Sequence, residues 1–403
     1  MSVVNAGTLP DVSQEEAASG VCGACGAIGL NAFYEVSSIP TQSCVLLDSH
    51  AEAREYPKGD LLLGFCSQCG FIQNLRFDPS LVDYSLPTEE SQAFSPRFQA
   101  FARELAADLL QRYDLTGRSV LEVGCGKGDF MELLTDGGIG SGIGIDPGFL
   151  PRREQDGGRV RFVRDHYDER YVDWTADLVV TRHLLEHVPN PGEFIGWLAE
   201  STRATSGAAL FTEVPDVSRV LREGAFWDVY YEHCSYFTPG SLSRALRNAG
   251  LDVEGLSSGF DGQYILADAR PGSGNTPHPD EETVASVAVL VAGFARSAMT
   301  SRAQWRNRIE EVTANGVPVC LWGGGSKAVA FLTTLGLDLD VTVVDINPHK
   351  QGKWLPGTAI RVQTPEDLQA TPPGLVIPMN PVYRDEIRSH LQRMGLQPAI
   401  EVV

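Results

Sequence analysis

Four groups of residues in this chain have types and spacings that could do chemistry. The first is Glu122-Val123-Gly124-Cys125-Gly126-Lys127-Gly128, where an apolar strand runs into glycines, with a second apolar run ending in Asp146-Pro147, 22 residues beyond Gly124. Glycines permit tight turns and leave no Cβ between the main chain and a ligand, and an acid at that distance can accept both hydroxyls of a ribose. Glu122 separates the ligand classes. A carboxylate there repels a pyrophosphate and attracts the ammonium of S-adenosylmethionine (SAM). The expected cofactor is therefore SAM, on Glu122, Gly124, Cys125, Gly126, Gly128, Asp146 and Pro147, with Asp165, His166, Arg182 and His183 at later strand ends.

The second group is Tyr230-Tyr231-Glu232-His233-Cys234-Ser235-Tyr236, ahead of an amphipathic helix over 240–249. A histidine backed by a glutamate gains basicity and a fixed tautomer, and phenols can donate to a developing oxyanion. This assigns His233 as base, Glu232 as its orienting partner, Tyr230 or Tyr231 as oxyanion donor and the upstream Tyr84 as a substrate contact. After the fourth strand, residues 181–188 supply Arg182, His183, Glu186 and His187. An Asn/Asp-Pro-Pro-aromatic tetrapeptide, which holds a planar nitrogen, is not what stands there.

The third group is Cys22-x-x-Cys25 and Cys66-x-x-Cys69, each followed by a glycine. Two such knuckles complete a tetrahedral four-cysteine zinc site with no open position, hence a structural one. The fourth is Gly323-Gly324-Gly325-Ser326-Lys327-Ala328 with Asp345 again 22 residues on. It reads as a phosphate cradle for a substrate (Gly323, Gly325, Ser326, Lys327), as a dinucleotide site with Asp345 on a ribose, or as scaffold. Lys353 and Asn380 lie on loops expected to face the same cleft.

These groups need a positioning framework, and the hydrophobic patterning supplies one. Residues 1–20 read as a mobile tail, 21–75 as the four-cysteine module with strands near 43–47 and 61–65, and 76–115 as a helical linker or lid with a helix over 94–113. Residues 116–270 alternate strands and helices as a doubly wound parallel sheet, 271–280 form a linker, and 281–403 make a second Rossmann-like unit for substrate. The expected class is α/β, a class I Rossmann-like SAM-binding domain between a zinc module and a second Rossmann-like domain.

At 403 residues with 43% hydrophobic and 21% charged residues, the chain is globular and of more than one domain. Its formal net charge of -20 opposes a polyanionic partner, so no nucleic acid is expected. No basic-then-apolar leader opens the sequence, and the apolar stretch 284–295 is too short to span a bilayer. A cytoplasmic protein acting on a small molecule, without a membrane partner, is expected. The expected oligomeric state is a monomer or a homodimer.

A double CxxC module, a SAM domain with Glu232-His233-x-x-Tyr236-Phe237, and a third domain with Lys350-Gln351-Gly352-Lys353-x-x-Pro356-Gly357 together resemble the bacterial sugar C-methyltransferases. The resemblance covers nearly the whole chain. It implies carbon methylation beside a ketone, on a nucleotide-linked deoxyketosugar of natural-product (antibiotic) biosynthesis, through His233 and an enolate. The alternative is an O-, N- or C-methyltransferase of another small natural-product intermediate.

Overall fold

The computed structural model describes residues 11–86, 88–150, 158–336 and 339–403. In chain order the N-terminal module holds α1 (Asp11–Ser19), β1 (Asn31–Pro40), α2 (His50–Glu55), β2 (Lys58–Phe65) and β3 (Ile72–Asn74). Then come α3 (Pro96–Arg112), β4 (Ser119–Val123), α4 (Asp129–Asp136), β5 (Ser141–Ile145), β6 (Val160–Val163), β7 (Leu178–Arg182), α5 (Pro191–Arg203), β8 (Ala209–Pro215), α6 (Val217–Glu223), β9 (Ser235–Tyr236), α7 (Pro239–Asn248), β10 (Leu251–Gly259) and β11 (Tyr264–Pro271). The third domain carries α8 (Val284–Ala314), β12 (Val319–Trp322), α9 (Ser326–Leu335), β13 (Thr342–Val344), β14 (Val362–Gln363), β15 (Leu375–Pro378), α10 (Arg384–Arg393) and β16 (Ala399–Ile400).

The central sheet runs β10-β11-β8-β7-β4-β5-β6. Its members β8, β7, β4, β5 and β6 are parallel, whereas β10 and β11 form an antiparallel hairpin on the β8 edge. The sheet is thus mixed rather than wholly parallel. Strand β4 is buried along Val120–Val123, which suits a strand covered on both faces. Helix α3 starts at Ser95, whose hydroxyl accepts from Phe98 N, and buries Ala102, Leu105, Ala106 and Leu109. Phe98 and Phe101 meet Phe260, and Phe101 also packs against the core that holds Leu105 and Leu109. The third domain is a parallel sheet in the order β14-β13-β12-β15-β16.

Several expectations need correction. Residues 1–10 of the expected tail lie outside the described residues, but Asp11–Ser19 is a helix, because Arg76 grips Glu16 at 3.0 Å and Glu35 at 2.7 Å while Ala17 is buried. The stretch 43–47 forms only single bridges, Val45 to Thr88 and Leu47 to Trp354, since its neighbours are loops. The expected linker is tied down: Arg247 donates to Gly274 O at 3.1 Å and pairs with Glu281 at 2.8 Å. Helix α8 runs well past residue 295. By length and by a mean hydropathy of 1.5 over 18 residues it is long and apolar enough to cross a membrane; 22% of that window is buried, and along the helix Val287, Val291, Phe294, Ala298, Ile309 and Val312 are buried.

One pairing organises the site. Strand β9, which begins two residues after His233, is the fourth strand of the N-terminal sheet β1-β2-β3-β9, and Asn74 N donates to Cys234 O at 2.9 Å. The cysteine module therefore holds the histidine loop in place.

Candidate active site

The four cysteines converge. Cys22 and Cys69 lie 3.6 Å apart at sulfur, Cys25 and Cys66 3.7 Å, and all four sulfurs lie within 4.8 Å of one another. A tetrahedral ion with bonds of about 2.3 Å needs sulfurs roughly 3.8 Å apart, so the set fits one. Both knuckles turn alike: Gly26 N donates to Cys22 O and Gly70 N to Cys66 O, and both glycines have left-handed φ, 74° and 77°.

At the end of β4, Gly124, Gly126 and Gly128 take φ of 77°, 52° and 84°. A Cβ at Gly126 would meet nothing within 4 Å, which leaves open space over the turn. Asp146 is held by its own loop: Oδ2 accepts from Gly126 N at 3.0 Å and Oδ1 from Gly148 N at 2.7 Å, and burial raises its pKa. Each carboxylate oxygen has a second lone pair left for a hydroxyl. Glu122 is 3% exposed, its Oε2 has no hydrogen-bond partner among the described residues, and burial pushes it up to about 8 against the pull of Arg182. An orphaned buried carboxylate beside an open glycine turn is a site waiting for a cation. These residues fit SAM.

The strand-end residues divide differently from expectation. Arg182 grips Glu213 with two bonds of 2.9 and 3.1 Å and lies over the Phe130 ring, and His183 Nε2 meets the same carboxylate at 2.7 Å. Burial opposes charge on His183, but Glu213 and Glu186 lift it to about 9. Both side chains join an ion network around Glu213, which, 0% exposed, requires compensation. Asp165 is pulled down to about 2 by Tyr171 and Arg170, which occupy its oxygens, and His166 is exposed.

Beside this network sit the imidazoles. His187 and His233 have ring centroids 4.8 Å apart, Tyr230 lies 4.7 Å from His233, and one Glu186 oxygen is within 4.8 Å of both histidines' ligand atoms. Burial, then His187, lowers His233 to about 3, so its ring is neutral. Glu232 does not orient His233: its Oε1 accepts from Ser43 N at 3.1 Å, because the module's loop approaches from that side. Instead the Glu232 carbonyl contacts His187 Nδ1 at 3.1 Å. A carbonyl only accepts, so Nδ1 carries the proton, and Tyr84, whose oxygen lies 3.3 Å from the same nitrogen, keeps its own proton to give elsewhere.

The expected phenols are spent. Tyr231 donates to Arg76 O at 3.2 Å and accepts from Asp78 N at 2.8 Å, 1% exposed in the core. Tyr230 donates to Asp228 at 2.7 Å. Sequence reasoning gave no role to Asp228, whose polar company only the fold reveals, or to Glu89, whose carboxylate takes Lys127 of the glycine turn at 2.5 Å and Asn347 of the third domain at 3.0 Å.

In the third domain, Gly323 has φ 111°, Gly324 N donates to Asp345 at 2.7 Å, and Asp345 also accepts from Asn347 N and faces Lys350 at 3.8 Å. Ser326 Oγ meets Cys44 at 3.2 Å. Lys327, expected on a phosphate, pairs with Asp228; Lys353 pairs with Asp48; and Asn380 caps its own turn on Val382 N. A small recess lined by Cys44 of the N-terminal module and Gly324, Lys350, Lys353 and Trp354 of the third domain lies here.

The fold and this site define a SAM-dependent class I methyltransferase. Residues 98–256 match the methyltransferase domain family and residues 280–399 the C-methyltransferase C-terminal domain family. C-methyltransferase NovU of Streptomyces niveus is 28% identical over 71% of this chain and 72% of its own length. A ubiquinone biosynthesis O-methyltransferase of Bordetella avium is 26% identical over 41% of this chain and 72% of its own. Among solved structures, a Burkholderia thailandensis 1,6-didemethyltoxoflavin-N1-methyltransferase with bound S-adenosylhomocysteine has a TM-score of 0.34 at 18% identity, covering 42% of this chain and 78% of that one. That last likeness is too slight to argue from.

Proposed function

We propose that the protein methylates a carbon next to a ketone, on a nucleotide-linked deoxyketosugar. The observation that carries this reading is the His233 imidazole, packed against a second imidazole and the Glu186 carboxylate. The matches to the C-methyltransferase C-terminal domain and to NovU support it.

When bound, SAM supplies an electrophilic methyl group on a sulfonium. Glu122 and Asp146 would hold its ammonium and ribose. His233, uncharged at neutral pH, takes the proton from the carbon next to the carbonyl, and Glu186 stabilises the imidazolium. Tyr84, kept protonated by burial, gives its free hydrogen to the enolate oxygen. The third domain's Gly323, Gly325 and Ser326, with Lys350 beside Gly325, would receive the anionic carrier. The four cysteines would hold one zinc ion as a structural brace, and metal analysis should return one zinc per chain and none for Cys66→Ser.

With S-adenosylhomocysteine bound, a dTDP-linked ketosugar should exchange its α-hydrogen with solvent deuterium. A methylated product formed without any such exchange, in partial turnovers in deuterium oxide, would favour oxygen as acceptor. The ubiquinone-type relatives make that the second reading.

A further inference from the structure

The sequence places Lys327 in a glycine loop, where a phosphate would be its natural partner, yet the fold points it elsewhere. Its ammonium, 21% exposed, reaches Asp228 in the methyltransferase domain. Asp228 is 8% exposed and meets Arg219 with its other oxygen, and Arg219 also takes Glu223 at 2.6 Å. The oxygen that receives Lys327, Oδ1, is also the acceptor for the Tyr230 hydroxyl. Tyr230 is further fixed at its backbone, where Tyr236 Oη accepts from Tyr230 N at 3.1 Å and donates to Tyr230 O at 2.9 Å. Its ring stands 4.7 Å from His233 at 82°.

We propose that Lys327 is a positioning residue for methyl transfer: from the third domain, it shares one Asp228 oxygen with Tyr230 and so sets the Tyr230 ring against His233. The inference rests on the reading of His233 as the base. It gives the third domain a part in the chemistry beyond receiving a carrier. Docking of the two domains does not depend on this lysine, because Phe331 of α9 stacks on Phe226 at 5.6 Å and meets Trp227 at 6.2 Å. Removing the ammonium should therefore leave the domains together while Asp228 is left to Arg219 and Tyr230.

Two readouts test this. With 3-fluorotyrosine placed at position 230, Lys327→Met should move the fluorine resonance, Lys327→Arg should restore most of it, and Lys353→Met, on a lysine that serves Asp48, should leave it in place. In turnover, Lys327→Met should lose roughly 10-fold in kcat, since misplacement of a positioning group costs about one to two powers of ten. S-adenosylhomocysteine affinity should stay within about 2-fold, as no contact near the cofactor changes. The double variant with Tyr230→Phe should be no slower than the slower single variant, because both break one interaction.

The pH profile adds a direction. The groups facing His233 are His187, Glu186, Asp228 and His183, with the Tyr230 and Tyr236 rings. Less compensated charge on Asp228 favours the imidazolium, so the acid limb of kcat should move to higher pH in Lys327→Met. An unmoved resonance, or losses that multiply in the double variant, would overturn the inference. A wild-type enzyme that transfers no methyl to a ketone would strike the proposed function, while the resonance would still judge Lys327.

Discussion

The two glycine-loop units share a hydrogen-bonding plan and part company at the end of the first strand. In the first, Gly124 N donates to Ile145 O at 2.8 Å and Gly126 N to Asp146; in the second, Gly323 N donates to Val344 O at 2.8 Å and Gly324 N to Asp345. Each acid also accepts from an amide two residues on, Gly148 N or Asn347 N. The strand-end position, however, is Glu122 in the first and Leu321 in the second. Glu122 keeps an unpartnered buried oxygen, while Leu321 is 0% exposed in an apolar core. Asp345 has Lys350 close by at 3.8 Å, whereas Asp146 is held by the amides of Gly126 and Gly148. The first turn thus keeps a buried carboxylate oxygen without a partner among the described residues, whereas the acid of the second turn has a lysine beside it within its own domain.

That contrast can be broken at its strongest point first. If chemistry resides on the first unit's side, His233→Asn should cut turnover by roughly 100-fold or more while leaving S-adenosylhomocysteine binding near wild type, as calorimetry would show. Unchanged turnover would remove His233 from the mechanism.

Transplanting the second unit's residue, Glu122→Leu, should weaken SAM binding by roughly 10- to 100-fold, the worth of a charge-assisted hydrogen bond. It should also raise the melting temperature, since an unpaired buried carboxyl goes. A finer signature accompanies the wild type. Glu122 holds its proton from the ordinary 4.5 up to about 8. Folded stability therefore falls as pH rises across that window, and Glu122→Gln should flatten the slope. SAM binding near neutral pH should release a proton, visible as a buffer-dependent binding enthalpy that Glu122→Gln abolishes. A buffer-independent enthalpy in the wild type would place the cofactor's ammonium elsewhere.

The smallest difference compares the two acids. Asp146→Asn should cost roughly 10-fold in SAM affinity, about one weakened charged hydrogen bond. Asp345→Asn should leave SAM binding unchanged and lower only the melting temperature. Equal losses of affinity would mean that the two units share a ligand.

Much of this molecule is legible in its residue order. The cysteine knuckles declare themselves because a tetrahedral ion needs thiolates in turn-spaced pairs, and Cys22, Cys25, Cys66 and Cys69 do meet. The glycine turn with Glu122 and Asp146 is local in geometry: strand, turn and second strand are contiguous, so spacing alone predicts which groups stand together. Helix α3 and the strands β4–β8 follow from periodicity for the same reason.

The partners of charged and phenolic side chains were decided elsewhere. Adjacent Glu232 and His233 looked like a pair, yet successive residues point different ways, and Glu232 went to Ser43 of the N-terminal module. Tyr231 was absorbed by Arg76 and Asp78, and Lys327 was drawn across to Asp228. Strand β9 on the cysteine module's sheet, which sets where His233 stands, joins residues far apart in the chain. Sequence by itself determined which groups exist and which turns they ride on, because backbone geometry is short-ranged. Only the tertiary structure decided who answers each buried charge and hydroxyl, because desolvation makes every such group take the nearest partner that packing brings to it.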